Sequence, residues 1–227
     1  MVNLPTVPGD VLVGAASVLC RGDAPTLTSR DVQVVVAAAL ASLFLYLFGL
    51  ADNDIVGAKK DSDRPIPRGE ISLTAARIAR ALCLFAVMIV GAVVNLQADW
   101  WIAAFLLVVL IIVYNRTKWC LAMGLCRGFN VLCGATAVGV CGVALDAIAL
   151  AAPALWTLYI AFVTWYSTGE ETDPEKKRRV GFLIGAIIYL QLVALLVFRV
   201  EPLLLTGAAL LVVLRLMKRF LPEVSAS

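Results

Sequence analysis

The chain contains no histidine. That absence excludes imidazole as a metal ligand or general base, leaving any catalysis to carboxylates, basic side chains, tyrosine or a metal held by oxygen. Paired cysteine is missing too. The six cysteines (Cys20, Cys83, Cys120, Cys126, Cys133, Cys141) form no CxxC element and no paired spacing, so neither a zinc site nor a disulfide framework is indicated. They read as small apolar packing residues. Charge is thin as well: 15% of the 227 residues are charged against 62% hydrophobic. The mean hydropathy of +0.94 excludes a soluble domain with a polar shell. No basic region precedes the first apolar stretch, which Pro5, Pro8 and Asp10 interrupt, so a cleavable signal peptide does not fit the start. No Gly/Ser linker or low-complexity segment divides residues 1–227, which read as one domain.

What fills the chain is apolar sequence. Uncharged stretches run over 32–51, 81–98, 100–115, 128–145, 147–169 and 180–198, each close to the roughly 20 residues that cross a bilayer. Two weaker stretches flank them, 2–20 and 202–221, the second carrying Arg215 near its end, where a long side chain reaches the interface. The expectation is an all-α, polytopic transmembrane bundle of about eight helices. The 19 Lys and Arg residues divide 16 against 3 between alternate loops. Only Arg21, Arg30 and Arg199 fall on the poorer side. By the positive-inside rule, both termini and the charged face belong to the cytosol. A net charge of +3 confined to short juxtamembrane loops gives no support to a nucleic-acid partner.

Two acidic loops follow the second and sixth spans, on that charged face. The first includes Asn53, Asp54, Asp61, Asp63, Arg64, Pro65, Pro67 and Arg68. If the second helix continues through it, Asp54 and Asp61, seven apart, share a face with Asn53 beside them. Such oxygen ligands suit magnesium, which typically takes one or two carboxylates plus substrate phosphates. Arg64 and Arg68, around a turn that proline keeps out of a helix, offer the forked donors that phosphates favour. The second loop has Glu170, Glu171 and Asp173 before Lys176–Arg179, and Glu170 and Asp173 at a spacing of three would share a helical face. For each loop, a solvated run of mixed charge or a headgroup anchor is the competing reading. Between them lie Tyr114, Lys118, Arg127 and Asn130. Arg127 either faces a polar cavity or snorkels to the interface; Asn130 is either a ligand or helix glue. All three loops fall on one side, as a site for magnesium and a diphosphate requires.

These segments resemble the UbiA superfamily of intramembrane prenyltransferases, whose first signature is NDxxDxxxD followed by a DRP-like element. The chain has Asn53-Asp54-Ile55-Val56-Gly57-Ala58-Lys59-Lys60-Asp61, then Asp63-Arg64-Pro65, with Gly57 where the family has its middle aspartate. Tyr114 to Lys118 is similar to the family's YxxxK loop, and Glu170, Glu171 and Asp173 form a divergent counterpart of its second aspartate-rich motif. The wording around 4–10 and 123–130 looks like the EboC-like branch. The resemblance implies a helical bundle around a central cavity, open to the cytosol for a diphosphate and to lipid for an isoprenoid tail. It implies magnesium held by Asn53, Asp54, Asp61, Glu170, Glu171 and Asp173. It implies diphosphate contacts from Arg64, Arg68, Tyr114, Lys118, Arg127 and Asn130. The activity expected is transfer of an isoprenyl group to a small cyclic acceptor, aromatic or polyol-like, within membrane lipid, with Asn53, Asp54, Asp61, Lys118 and Asp173 as catalytic residues. A catalytically degenerate homologue that binds or carries isoprenoid lipid is the alternative, motivated by Gly57. A CDP-alcohol phosphotransferase is disfavoured because its Asp-Gly-x-x-Ala-Arg element is missing from both acidic loops. An ion transporter is disfavoured because the acids cluster at one face.

Overall fold

The computed structural model describes residues 4, 6–20, 27–58, 61–139, 147–198, 206–210 and 212–213, without the side chains of 147–149 and 171. Seven α-helices follow one another: α1 Thr6–Leu19, α2 Ser29–Gly57, α3 Leu73–Val93, α4 Ala98–Thr117, α5 Cys120–Val138, α6 Ala147–Ser167 and α7 Pro174–Phe198. A 3-10 turn, Glu170–Thr172, joins α6 to α7. Six of these, α2 to α7, are long and apolar enough to cross a membrane; the chain is a polytopic helical membrane protein. α1 is shorter, at 14 residues. Of the eighth expected span, 202–221, residues 206–210 and 212–213 are helical and the rest lies outside the described residues. So do Arg21, Lys59, Lys60, Cys141, Arg199, Arg215, Lys218 and Arg219.

Local chemistry sets the helix ends. Thr28 caps α2 through a capping box: its hydroxyl accepts from Asp31 N–H while the Asp31 carboxylate accepts from Thr28 N–H. Ser72 caps α3 by accepting from Ala75 N–H at 3.1 Å. At the other end of α4, Lys118 takes a left-handed conformation (φ 54°), and its N–H donates to the Tyr114 carbonyl at 2.8 Å, closing the last turn as a C-terminal cap does.

α1 is central despite its length. It packs against α5, α2, α7 and α6, and eleven of its residues are buried, Asp10 among them. Its crossing with α5 brings backbones into contact: a Cβ on Gly14 would overlap the Val131 carbonyl, and one on Gly134 the Val11 carbonyl. Small residues let membrane helices approach in this way, where burial from water no longer drives association. α5 meets α6 similarly, with Gly124 and Gly128 against Thr157 and the Pro153 carbonyl. α3 is peripheral, resting on α2.

Two expectations for the acidic loops are corrected. α2 does run past the apolar stretch, but it stops at Gly57, so Asp61 is not on its face with Asp54. Residues 170–172 form a 3-10 turn and Asp173 is extended (φ −127°, ψ 102°), so Glu170 and Asp173 share no α-helical face.

Candidate active site

Between α2, α4, α5, α6 and α7 lies a cavity of about 410 Å³, within the range of small-molecule sites. Its walls are mostly apolar, including Leu45, Leu50, Leu107, Ile111, Ile160, Val163, Ile184 and Ile187. The polar groups fall into two zones. Asn53, Lys118 and Ser167, from the C-terminal ends of α2, α4 and α6, and Glu170, from the 3-10 turn that follows α6, mark the mouth. Ser42 and Tyr46 lie on α2 eleven and seven residues before Asn53, about 16 and 10 Å deeper at a helix's rise. With Arg127 and Asn130 they make the inner zone.

At the mouth, Lys118 Nζ donates to Asn53 Oδ1 and stands 5.0 Å from the centre of the Tyr114 ring, a cation–π distance. The left-handed Lys118 backbone turns the side chain back over its own helix. Directly behind Asn53, the Arg64 guanidinium gathers the rest of the first acidic loop. Its Nη1 donates to the Asn53 carbonyl at 3.0 Å and to Asp54 Oδ1 at 3.2 Å, and its Nε to Asp61 Oδ2 at 3.3 Å. Gly57 makes the room, since a Cβ there would run into the same guanidinium.

The inner zone has a buried carboxylate beneath it. Asp10, fully buried, accepts at Oδ1 from Arg127 Nη2 (2.9 Å), Trp156 Nε1 (2.9 Å) and Gln191 Nε2 (2.7 Å), and at Oδ2 from Asn130 Nδ2 (3.1 Å). Arg127 Nε is 2.8 Å from Oδ2, completing the ion pair. Arg127 also donates to the Thr6 hydroxyl and carbonyl, and Asn130 Oδ1 accepts from Ser42. One carboxylate thus ties α1 to α5, α6 and α7 while Arg127 and Asn130 still face the cavity. Arg127 is a cavity residue and does not snorkel.

A second buried acid supports the mouth. Asp52, also fully buried, accepts from Arg80 Nη1 (2.8 Å) and Asn115 Nδ2 (3.0 Å) and lies 3.7 Å from Arg116. Asn115 donates to the Gly49 carbonyl too. α2, α3 and α4 are pinned together at the residue next to Asn53.

Of the residues singled out in the sequence, Asn53, Tyr114, Lys118, Arg127, Asn130 and Glu170 line one cavity. Asp54 and Asp61 are turned onto Arg64, and Arg68 pairs with Glu70 at 2.9 Å. Asp173 Oδ1 accepts from the N–H groups of Glu175 and Lys176 at 3.0 and 3.1 Å, which makes it the N-cap of α7. The Glu171 side chain lies outside the described residues. Sequence reasoning passed over Asp10 and Asp52. Asp10 carried a usable signal, an acid inside an apolar stretch, which normally marks a buried partner; Asp52, beside the Asn53-Asp54 motif, carried none that set it apart.

No family model and no curated protein matches the sequence. Among solved structures, that of digeranylgeranylglyceryl phosphate synthase in membranes is similar to this chain at 14% identity, with a TM-score of 0.54 over 96% of this chain and 84% of the other. A UbiA homologue from Archaeoglobus fulgidus is similar at 18% identity and a TM-score of 0.55, over 96% of this chain and 87% of its own. Both alignments take in nearly all of the bundle just described, and the chain has the UbiA fold.

Proposed function

We propose that this chain is an intramembrane prenyltransferase, moving an isoprenyl group from an allylic diphosphate to a small cyclic acceptor, aromatic or polyol-like. The observation that carries this reading is the cavity itself: apolar along its walls, with the Lys118–Asn53 pair at the mouth and Arg127 and Asn130 further in. An isoprenoid tail gains about 0.8 kcal/mol per CH₂ withdrawn from water, while its diphosphate needs a wet, cationic end. The 16-to-3 division of basic residues supports a mouth on the cytosolic side.

In the reaction the allylic C–O bond breaks and its electron pair leaves with the diphosphate. Lys118 meets the growing negative charge, with Arg64 held just behind it through Asn53. Tyr114 and the apolar walls keep water from the allylic centre. The acceptor forms its new bond at that carbon, and its proton passes to the departing diphosphate or to Glu170, the carboxylate that lines the cavity.

Magnesium is the cofactor that the resemblance brings with it. Among the described residues no three acidic side chains gather where they would hold a metal ion. Asp54 and Asp61 converge on a guanidinium instead, and Asp173 is engaged in capping α7. Among the described residues the arrangement does not fit a protein-held ion.

Membranes containing the protein, incubated with labelled geranyl, farnesyl or geranylgeranyl diphosphate and a lipid extract, should yield a prenylated lipid detectable by mass. Lys118→Ala should lower that yield by about 10²-fold, the scale of losing one charge-stabilising donor. Turnover unchanged in Lys118→Ala would overturn the assignment. The engagement of Asp54 and Asp61 by Arg64 favours a second reading, a carrier of isoprenoid lipid. Tight binding of a donor with no product from any of the three would select it.

A further inference from the structure

We propose that Arg64 is the resident cation of the first acidic loop and occupies the place where a divalent ion would have to sit. Four observations converge on this. The Asn53 carbonyl, Asp54 Oδ1 and Asp61 Oδ2 all point at one guanidinium, at 3.0, 3.2 and 3.3 Å. These are hard oxygen donors of the kind that surround magnesium, satisfied here by a planar cation that never loses its charge. Gly57 vacates the remaining side, and a Cβ at that position would overlap the Arg64 guanidinium. Position 57 is also where the resembled signature has its middle aspartate. The chain thus keeps the arginine of the DRP-like element, and that guanidinium reaches into the space left open at Gly57, where the resembled signature has a carboxylate.

The backbone delivers Arg64 to that point. Asp61 N–H donates to the Gly57 carbonyl at 3.1 Å, keeping the chain close to the end of α2, and the Asp63 N–H donates to Asp61 Oδ1 at 3.1 Å, turning it back. Pro65 then prevents a helix from carrying Arg64 away. Arg64 is three-quarters buried by its side chain, while Asp54 and Asp61 are 40% and 50% exposed. Solvent reaches the acids more readily than the cation between them, the geometry of an ion seated in its ligands.

The inference deepens the prenyltransferase reading and depends on it only for the identity of the anion at the mouth. Its test uses the full chain in detergent or nanodiscs, with Mn²⁺ as a paramagnetic probe followed by electron spin resonance. Wild type without any diphosphate should leave Mn²⁺ as free as buffer does. The variant Gly57→Asp with Arg64→Gln, checked for an unchanged thermal transition, should retain about one Mn²⁺ per chain, three carboxylates then facing an emptied site. Stoichiometric Mn²⁺ on the wild type overturns the proposal, as does a folded double variant that gains none. In a second arm, geranylgeranyl diphosphate should bind the wild type equally well with magnesium and with EDTA, and an absolute need for magnesium would overturn the proposal. If that ligand binds in neither condition while the Mn²⁺ result holds, the substrate assignment fails and the role of Arg64 stands.

Discussion

Arg64 and Arg127 both bridge carboxylates and amide groups near one cavity, yet the two clusters are built on different physical terms. Around Arg127 little reaches the surface: its side chain is 13% exposed and Asp10 is not exposed at all. Asp10 collects donors from α5, α6 and α7. Around Arg64 the acids are half in solvent, and all partners come from 53–64, a single stretch of chain. In a dry interior a charge must be matched or the fold loses heavily, so the inner cluster is a structural lock. At the wet rim the same groups exchange partners at little cost. Chemistry that must take up and release a charged ligand belongs at the rim, and rigidity belongs inside.

The sharpest way to break this contrast is Asp10→Ala. It strips Arg127, Trp156 and Gln191 of a shared acceptor, and should cost about 3–5 kcal/mol by the scale of an orphaned buried charge, read as lost folded yield and a lower thermal transition in detergent. Adding Arg127→Met to Asp10→Leu should restore most of that stability, because no charge is then stranded. If the pair is as unstable as the single change, the network matters for more than charge balance. Asp52→Ala comes next, at about 2 kcal/mol. Asp52 is buried, but Arg80 and Arg116 are 35% and 52% exposed and can turn to water. The smallest effect is expected at the rim, where Arg64→Gln should shift unfolding by less than about 1 kcal/mol while altering cation binding. A large loss of stability there would erase the distinction between the two clusters.

Much of the bundle was legible in the apolar runs. Four of the six uncharged stretches fall on α2, α4, α6 and α7, while 81–98 and 128–145 each begin eight residues inside their helices, α3 and α5, because Arg80 in the first and Arg127 in the second broke the uncharged run without breaking the helix. Arg127 also shows the limit of such patterns. Composition treats Asp10 and Arg127 as interruptions, and only the folded chain, which joins residues 117 positions apart in sequence, makes each the reason the other is tolerated. Of the residues expected at the site, those on helices or at their ends, Asn53, Tyr114, Lys118, Arg127 and Asn130, share one cavity. The loop acids were read as helical when they are not. Their spacing of three and seven meant nothing once Gly57 ended α2 and Pro174 began α7. Nor does spacing reveal that Gly14 and Gly134 face each other, since a glycine's partner is fixed by the crossing of α1 with α5.

The peripheral position of α3 has a further consequence. Only Ala76, Val87 and Gly91 of its 21 residues are buried, and Leu82, Phe85, Met88 and Val93 are turned outward at 58–79% exposure. Hydrocarbon from the surroundings, rather than protein, completes the packing of that helix, and Asp52 holds it through Arg80 at one point. The amphiphile chosen to extract the protein is thereby a component of its tertiary structure, and a melting curve recorded in one detergent describes that mixture.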